Sequence, residues 1–436
     1  MSLYRSLREE MMAGGAVNDD PDGNPSQPSR LKGVLSGLTV LALLIWLGIS
    51  NVWSLVLVVG LLLSVFLHEL GHFKTAGWAG MKRTQFFMGF GPKIWSTHRN
   101  GVEYGVRALP LGAFVRIVGM NNLDPVDEGD EQVAYSAKPY RWRLLVITAG
   151  SLMHIIIAVL IMMFVYTAGG RYQETGRIEV LGLTEGSPAS QAGISPGDEI
   201  TSINGVILET SDDFRSLMGA SSVGDEVSVG FIHQGSQESA RVTLVARPGD
   251  DETGVGFLGV GTNSIGRQKL GVFSATTHMT SDLLDGMGRT IQGIGTILNP
   301  ENQWSQLTDS QADQNSRPTT VVGITQVAGD IGDRDGLYGV LEILASINVF
   351  IGIFNLLPFL PFDGGHAAIA TYERIRSRKG HRHHADVEKM WPLTVVVITL
   401  LLFLTFTGLY LDITRPFFSL AECNQCLLNH LPLPGL

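Results

Sequence analysis

Five consecutive residues, His68-Glu69-Leu70-Gly71-His72, set two imidazoles four positions apart with a carboxylate beside the first. On a helix that spacing puts both imidazoles on one face, where each can offer a ring nitrogen to the same Zn²⁺. The glutamate between them can then act as a base toward a water held there. Alone, the pentapeptide is a weak signal. Its setting sharpens it, because it closes an almost uninterrupted apolar run from Val52 to Leu67. Sixteen residues of helix rise about 24 Å, so a carboxylate and two imidazoles arrive deep in a hydrocarbon layer. Such groups are costly at that depth and are expected only where they serve a site.

A catalytic zinc site needs a third protein ligand and an open position for water. The best candidate lies far downstream, in Asn355-Leu356-Leu357-Pro358-Phe359-Leu360-Pro361-Phe362-Asp363-Gly364-Gly365-His366. Two prolines break the preceding helix and two glycines follow Asp363; unwound backbone at membrane depth is tolerated only where it is buried in protein or lines a wet cavity. Asp363 is therefore expected to join His68 and His72, with His366 as a competitor placed past the break. His381, His383 and His384 fall in a basic loop and read as solvated. His154 sits inside an apolar helix, either as a satisfied polar residue at a helix contact or as a group supporting the site from behind.

The remaining elements must bring these segments together. Of 436 residues, 44% are hydrophobic, and they concentrate in the runs Val34–Ile49, Val52–Leu67, Leu144–Thr167, Ile343–Leu357 and Leu393–Tyr410. Most approach the roughly 17–25 residues that cross a bilayer. The net charge of −10 is unevenly spread: acids dominate between Gly170 and Gly336, while bases cluster in Lys82–Arg143 and Arg374–Arg382. By the positive-inside rule the two basic connections are cytoplasmic and the acidic segment lies outside. No basic surface survives outside those loops, which excludes nucleic acid as a partner. Cys423 and Cys426 are the only cysteines. They permit no disulfide framework, and the pair reads as structurally minor, at most an external disulfide.

The chain divides accordingly into a disordered cytoplasmic tail (1–30), an additional N-terminal transmembrane helix (31–50) and the transmembrane helix with the His-Glu-x-x-His motif (51–80). A cytoplasmic-side β-meander and loop (81–142) follows, with Asn100-Gly101 as its hairpin turn. Next come a transmembrane helix (143–168), a compact extracytoplasmic α+β domain (175–262) and an extracytoplasmic linker (263–337) in which Glu301 to Thr320 reads as mobile. A transmembrane segment bearing Asp363 (338–370), a basic cytoplasmic loop (371–390), a last transmembrane helix (391–412) and a tail (413–436) complete it. In the α+β domain Ser211 is the expected cap of a short helix.

With these residues in place, the chain resembles the site-2 protease family of intramembrane zinc metalloproteases, in the bacterial subgroup that carries a PDZ domain. The resemblance runs from Val52 to Tyr410 and combines His-Glu-x-x-His, Asn-x-x-Pro-x-x-x-x-Asp-Gly and an intervening PDZ-like segment. It implies a polytopic α-helical membrane protein with a membrane-associated β-meander and an inserted extracytoplasmic α+β PDZ domain. It implies His68, His72 and Asp363 as zinc ligands and Glu69 as catalytic base. Asn355, Gly89-Phe90-Gly91 and His154 would lie on the substrate side. Three features depart from the family: Pro110-Leu111-Gly112-Ala113 where Pro-x-Gly-Gly is common, His154 where asparagine is usual after Gly150, and the extra leading helix.

The implied activity is hydrolysis of peptide bonds in or near transmembrane segments of single-pass membrane proteins in the bacterial plasma membrane. Anti-sigma factors or signal-peptide remnants would be substrates, and peptide C-termini would be ligands of the PDZ domain. Its carboxylate-binding loop falls either at Gly256-Phe257-Leu258-Gly259 or near Leu181-Gly182-Leu183. The competing readings are a zinc-binding membrane chaperone and a PDZ scaffold without proteolysis.

Overall fold

The computed structural model describes residues 28–120, 126–247, 254–309, 316–377, 383, 385 and 387–416. The polar leader before residue 28, His381, His384, Cys423 and Cys426 lie outside them. The chain forms two units, one from the described residues of 1–162 and 278–419, the other from 163–277.

The first unit opens with helix α1 (Pro28–Ser50). Asn51 then turns extended and caps helix α2 (Val52–Trp78), its side-chain oxygen accepting from the N–H groups of Trp53 and Ser54. One residue thus satisfies two of the orphan donors at a helix start, and α2 carries His68, Glu69 and His72 toward its far end.

Strands β1 (Arg83–Arg99) and β2 (Val102–Ile117) follow, joined at Asn100-Gly101, both with positive φ as a type I′ hairpin turn requires. Their register is that of two bent ribbons interleaved. The first half of β1 pairs on one side with Glu103–Val106 of β2 and on the other with Ala113–Ile117, while the second half of β1 covers the outer side of Val102–Arg107. Gly89 and Gly91 make the bend at positive φ, and a Cβ on Gly89 would stand 2.8 Å from two backbone oxygens of β2. The meander is therefore effectively four-stranded, and one of its edges is Ala113–Ile117. Helix α1 packs close to it at Gly37 and Ile94.

Helix α3 (Tyr140–Phe164) leads into the second unit, which holds β3 (Arg171–Leu183), the single turn α4 (Pro188–Gln191), β4 (Glu199–Ile203), β5 (Val206–Ile207), α5 (Ser211–Gly219), β6 (Glu226–His233), β7 (Ser236–Thr243) and β8 (Val260–Gln268). The antiparallel sheet runs β7-β6-β4-β3-β8, with β5 paired to β4. Its core includes Ile178, Val180, Ile200, Val229, Phe231 and Leu244. The cap of α5 is Thr210, one residue before the Ser211 expected from sequence; Thr210 and Asp213 bond reciprocally as a capping box.

The chain returns through α6 (Val272–Leu298) and α7 (Pro300–Thr308), which fill much of the stretch read from sequence as a linker. Helix α6 is amphipathic and lacks the long apolar run of a span; its Leu283 and Met287 pack near Ala158 and Val349. Helix α8 (Val321–Phe354) breaks at Gly336, where φ is 64°. Helices α9 (Asp363–Arg376) and α10 (Trp391–Thr414) end the described fold.

Among the described residues, four helical stretches, Val52–Trp78, Tyr140–Gly169, Val321–Phe354 and Trp391–Thr414, are long and apolar enough to cross a membrane. Their outward faces carry Leu63, Leu160, Val396 and Phe406, all exposed, as a lipid-facing surface would.

One buried network ties the last two spans together. Asp412 on α10 accepts from Arg317 Nη2 (2.6 Å), Thr320 N–H (2.8 Å), Thr320 Oγ1 (2.7 Å) and Gly323 N–H (3.1 Å). Its charge sits at the positive end of α8 as well as against the guanidinium. Replacing Asp412 by Ala strands a buried Arg317, a loss of about 3–5 kcal/mol. The expected result is a clearly lower denaturation midpoint in detergent; an unchanged midpoint would show that the network contributes no stability.

Candidate metal centre

The chemistry-bearing residues of α2 meet two other elements. Helix α3 crosses it at glycines: a Cβ on Gly71 would stand 2.9 Å from the Ala149 carbonyl oxygen, and a Cβ on Gly150 would collide with the rings of both His68 and His72. A larger residue at 150 would push the imidazoles aside, and one at 71 would push α3 away from α2. Helix α9 begins with Asp363. Its approach depends on Gly364, whose Cβ would run into the Leu356 carbonyl, and on the Gly364 N–H bonding to the Asn355 oxygen at 2.8 Å. At the other end of α9, Glu373 accepts from Arg143 at 2.7 Å, and the Tyr140 and Thr371 hydroxyls meet at 3.0 Å, so α9 is pinned to α3.

Three donor atoms converge as a result. His72 Nε2 lies 3.1 Å from His68 Nε2 and 3.2 Å from Asp363 Oδ2, and His68 Nε2 lies 3.5 Å from Asp363 Oδ2. The edge of a tetrahedron with ligands at about 2.0–2.1 Å is about 3.3 Å. The three distances bracket that edge, which is the spacing a tetrahedral zinc would impose on three of its ligands. Asp363 Oδ2 is buried and without a hydrogen-bond partner, an orphaned acceptor that a cation would satisfy. Among the described residues this is the one group of three or more histidine, cysteine or acidic side chains able to hold a metal ion.

The ring of His72 is held from behind. Its Nδ1 donates to the Val146 carbonyl at 2.7 Å, so Nε2 presents its lone pair toward Asp363 and His68. This is the usual outer support of a metal-binding imidazole. Val115 packs with Phe86, Phe73 and Leu70, the neighbour of Glu69 on α2. The unpaired edge of the meander, Ala113–Ile117, therefore lies against the part of α2 that carries Glu69.

The other residues singled out from sequence sit around this centre. Asn355 ends α8, its backbone holding Gly364. Phe90, between Gly89 and Gly91, stacks on Phe114 with ring centroids 6.2 Å apart and packs over Gly112. His154 is buried and bonds to Asn348. His366 lies in the first turn of α9 and is not part of the converging group. Sequence reasoning passed over Val115, Val146, Gly150 and Asn348. A signal existed for two of them: Val146, Gly150 and His154 are spaced by four, one stripe of α3.

Comparison with known proteins finds a matching family, related sequences and a related domain structure. Peptidase family M50 matches residues 56–402. Zinc metalloprotease Rip1 of Mycobacterium tuberculosis is 30% identical over 390 residues, covering 82% of this chain and 96% of its own. Zinc metalloprotease Rip1 of Mycolicibacterium smegmatis is 30% identical over 377 residues, covering 78% and 91%. Among solved structures, the PDZ domain of an SdrC-like protein of Listeria innocua aligns with 19% of this chain and 90% of its own at 30% identity, with a TM-score of 0.18.

The clearance at Gly150 yields a test. Gly150→Ala is expected to weaken divalent-metal binding by roughly tenfold or more, the scale on which disturbed ligand support acts, while circular dichroism stays that of the wild type. Metal titration against a chelating dye measures it; undiminished affinity would show that the α2–α3 crossing does not set the ligand geometry.

Proposed function

The chain belongs to peptidase family M50 and is a zinc metalloprotease, and from that footing we propose that it works within the bilayer, hydrolysing peptide bonds in or near transmembrane segments of single-pass membrane proteins. The observation that carries this reading is the convergence of His68, His72 and Asp363 at the far end of a membrane-length helix, beside an open sheet edge.

In this reading His68 Nε2, His72 Nε2 and Asp363 Oδ2 hold the zinc. When bound, the zinc supplies a Lewis acid that makes its water acidic and polarises the scissile carbonyl. Glu69 takes a proton from the attacking water and delivers it to the leaving amine.

A transmembrane substrate hides its carbonyls in its own helix, and breaking those bonds in hydrocarbon costs several kcal/mol for each unsatisfied group. The Ala113–Val115 edge offers replacement partners, so the substrate is read as adding a strand there. Asn355, at the end of α8, and the bend Gly89-Phe90-Gly91 of β1 are read as further groups on the substrate side. Substrates whose transmembrane segments contain helix-weakening residues are preferred.

The charge asymmetry supports a cytoplasmic N-terminus, cytoplasmic basic loops and an extracytoplasmic unit 163–277 in a bacterial plasma membrane. That unit is read as a PDZ domain that takes peptide C-termini or obstructs bulky ectodomains, so that trimmed substrates reach the centre. Membrane-anchored anti-sigma factors and signal-peptide remnants are substrates of the fitting kind.

Two outcomes check the reading. Glu69→Gln in the full-length protein should lower cleavage of a single-pass substrate by about 10²–10⁴-fold while one zinc per chain stays bound; full activity would remove Glu69 from the chemistry. Placing a Gly-Pro pair in the middle of a polyleucine transmembrane substrate should raise its cleavage rate, and equal rates would show that unwinding is not limiting.

A further inference from the structure

His68 and His72 are unequally supported. The outer nitrogen of His72 gives its proton to the Val146 carbonyl at 2.7 Å, whereas Nδ1 of His68 is buried and has no partner at hydrogen-bonding geometry. A ligand imidazole that binds zinc through Nε2 carries a proton on Nδ1, and a buried N–H left unpaired is expensive.

Beside that ring lies His154, 1% exposed, with ring centroids 5.0 Å apart and planes inclined by 46°. Two imidazoles joined by a nitrogen-to-nitrogen hydrogen bond of about 3 Å have centroids about 5 Å apart. The protonation of His154 is fixed from its far side. Asn348, fully buried, gives its amide N–H to the Leu344 carbonyl at 2.8 Å, so its side-chain oxygen is the atom facing His154 Nδ1, again at 2.8 Å. Nδ1 of His154 therefore carries the proton, and Nε2 carries the lone pair.

A buried polar pair between two membrane helices needs a reason. The packing shows an arrangement for it: Gly352 lets α8 close on α3, where its Cβ would stand 3.3 Å from the Cβ of His154 and 3.2 Å from the Ser151 oxygen. Along α3 one stripe then performs three tasks, with Val146 holding His72, Gly150 giving both rings room, and His154 lying against His68.

We propose that His154, oriented by Asn348, is a positioning residue for the zinc ligand His68, its Nε2 accepting the His68 Nδ1 proton through a small turn of either ring. The inference rests on the zinc site read above. It goes further in placing His154 behind a ligand instead of against substrate, and in making Asn348 part of the centre. The rival acceptor is the Gly150 carbonyl, which also approaches the His68 ring and which no change at position 154 removes.

The experiment titrates zinc into the full-length protein in detergent against a chromophoric chelator and records the visible spectrum of its cobalt(II) form. His154→Phe keeps the ring volume without an acceptor and is expected to weaken zinc binding by roughly 10–100-fold and to shift the cobalt bands. His154→Gln restores an acceptor and should recover a large part of the affinity. Asn348→Leu, which leaves His154 unoriented, should fall between wild type and His154→Phe, and it tests the relay independently should His154→Phe fold poorly. Wild-type affinity and an unshifted spectrum in His154→Phe would overturn the proposal and assign the proton to Gly150. So would equal losses in His154→Phe and His154→Gln, which would mark a packing role. A wild-type protein that binds no zinc would instead defeat the underlying reading of the site, and His72→Ala provides that reference.

Discussion

Two imidazole nitrogens and a carboxylate oxygen lie 3.1–3.5 Å apart, and with their lone pairs turned inward, as ligands to one ion require, they would repel one another unless a cation lay among them. In an apolar surrounding that repulsion is poorly screened, and each group has also lost its hydration. The fold around the centre consists largely of means for holding them there. Asn51 starts α2, Gly71 and Gly150 let α3 approach, Val146 fixes one ring, and the bond from Gly364 to Asn355 sets the start of α9. Arg143 and Glu373 then lock α9 in register from its other end.

The same economy explains why the meander sits where it does. A protease acting on helical substrates in hydrocarbon needs two things in one place: an activated water and replacement hydrogen bonds for an unwound peptide. The packing of Val115 against Leu70 and Phe73 joins the two, because one strand edge lies along the helix that carries the base and offers the pairing groups. Interleaving β1 and β2 sends that edge to the centre while the second half of β1 closes the opposite side.

Much of this was legible in the sequence, and the reasons differ by element. His68 and His72 declare themselves by helical spacing, and Asp363 by its broken helix and flanking glycines, although bringing them together required a topological argument across most of the chain. Asn100-Gly101 announced its turn through local backbone preference. The interleaved register of β1 and β2 was not readable, since it depends on which halves of two bent ribbons meet. Helix α6 was missed because its apolar residues form one stripe of an amphipathic helix and not an unbroken apolar run. Asn348 looked like any polar residue in a span until its partner, His154, was placed beside it by the α3–α8 crossing. Gly150 reads as a bland glycine until two imidazoles are found where its side chain would have been.

The most direct test of the account is X-ray absorption at the zinc edge of purified full-length protein. One zinc per chain with two imidazoles and oxygen ligands at about 2.0–2.1 Å is the predicted result. Sulfur scattering at about 2.3 Å, which would move the metal to Cys423 and Cys426, or a single imidazole in the shell, would contradict it.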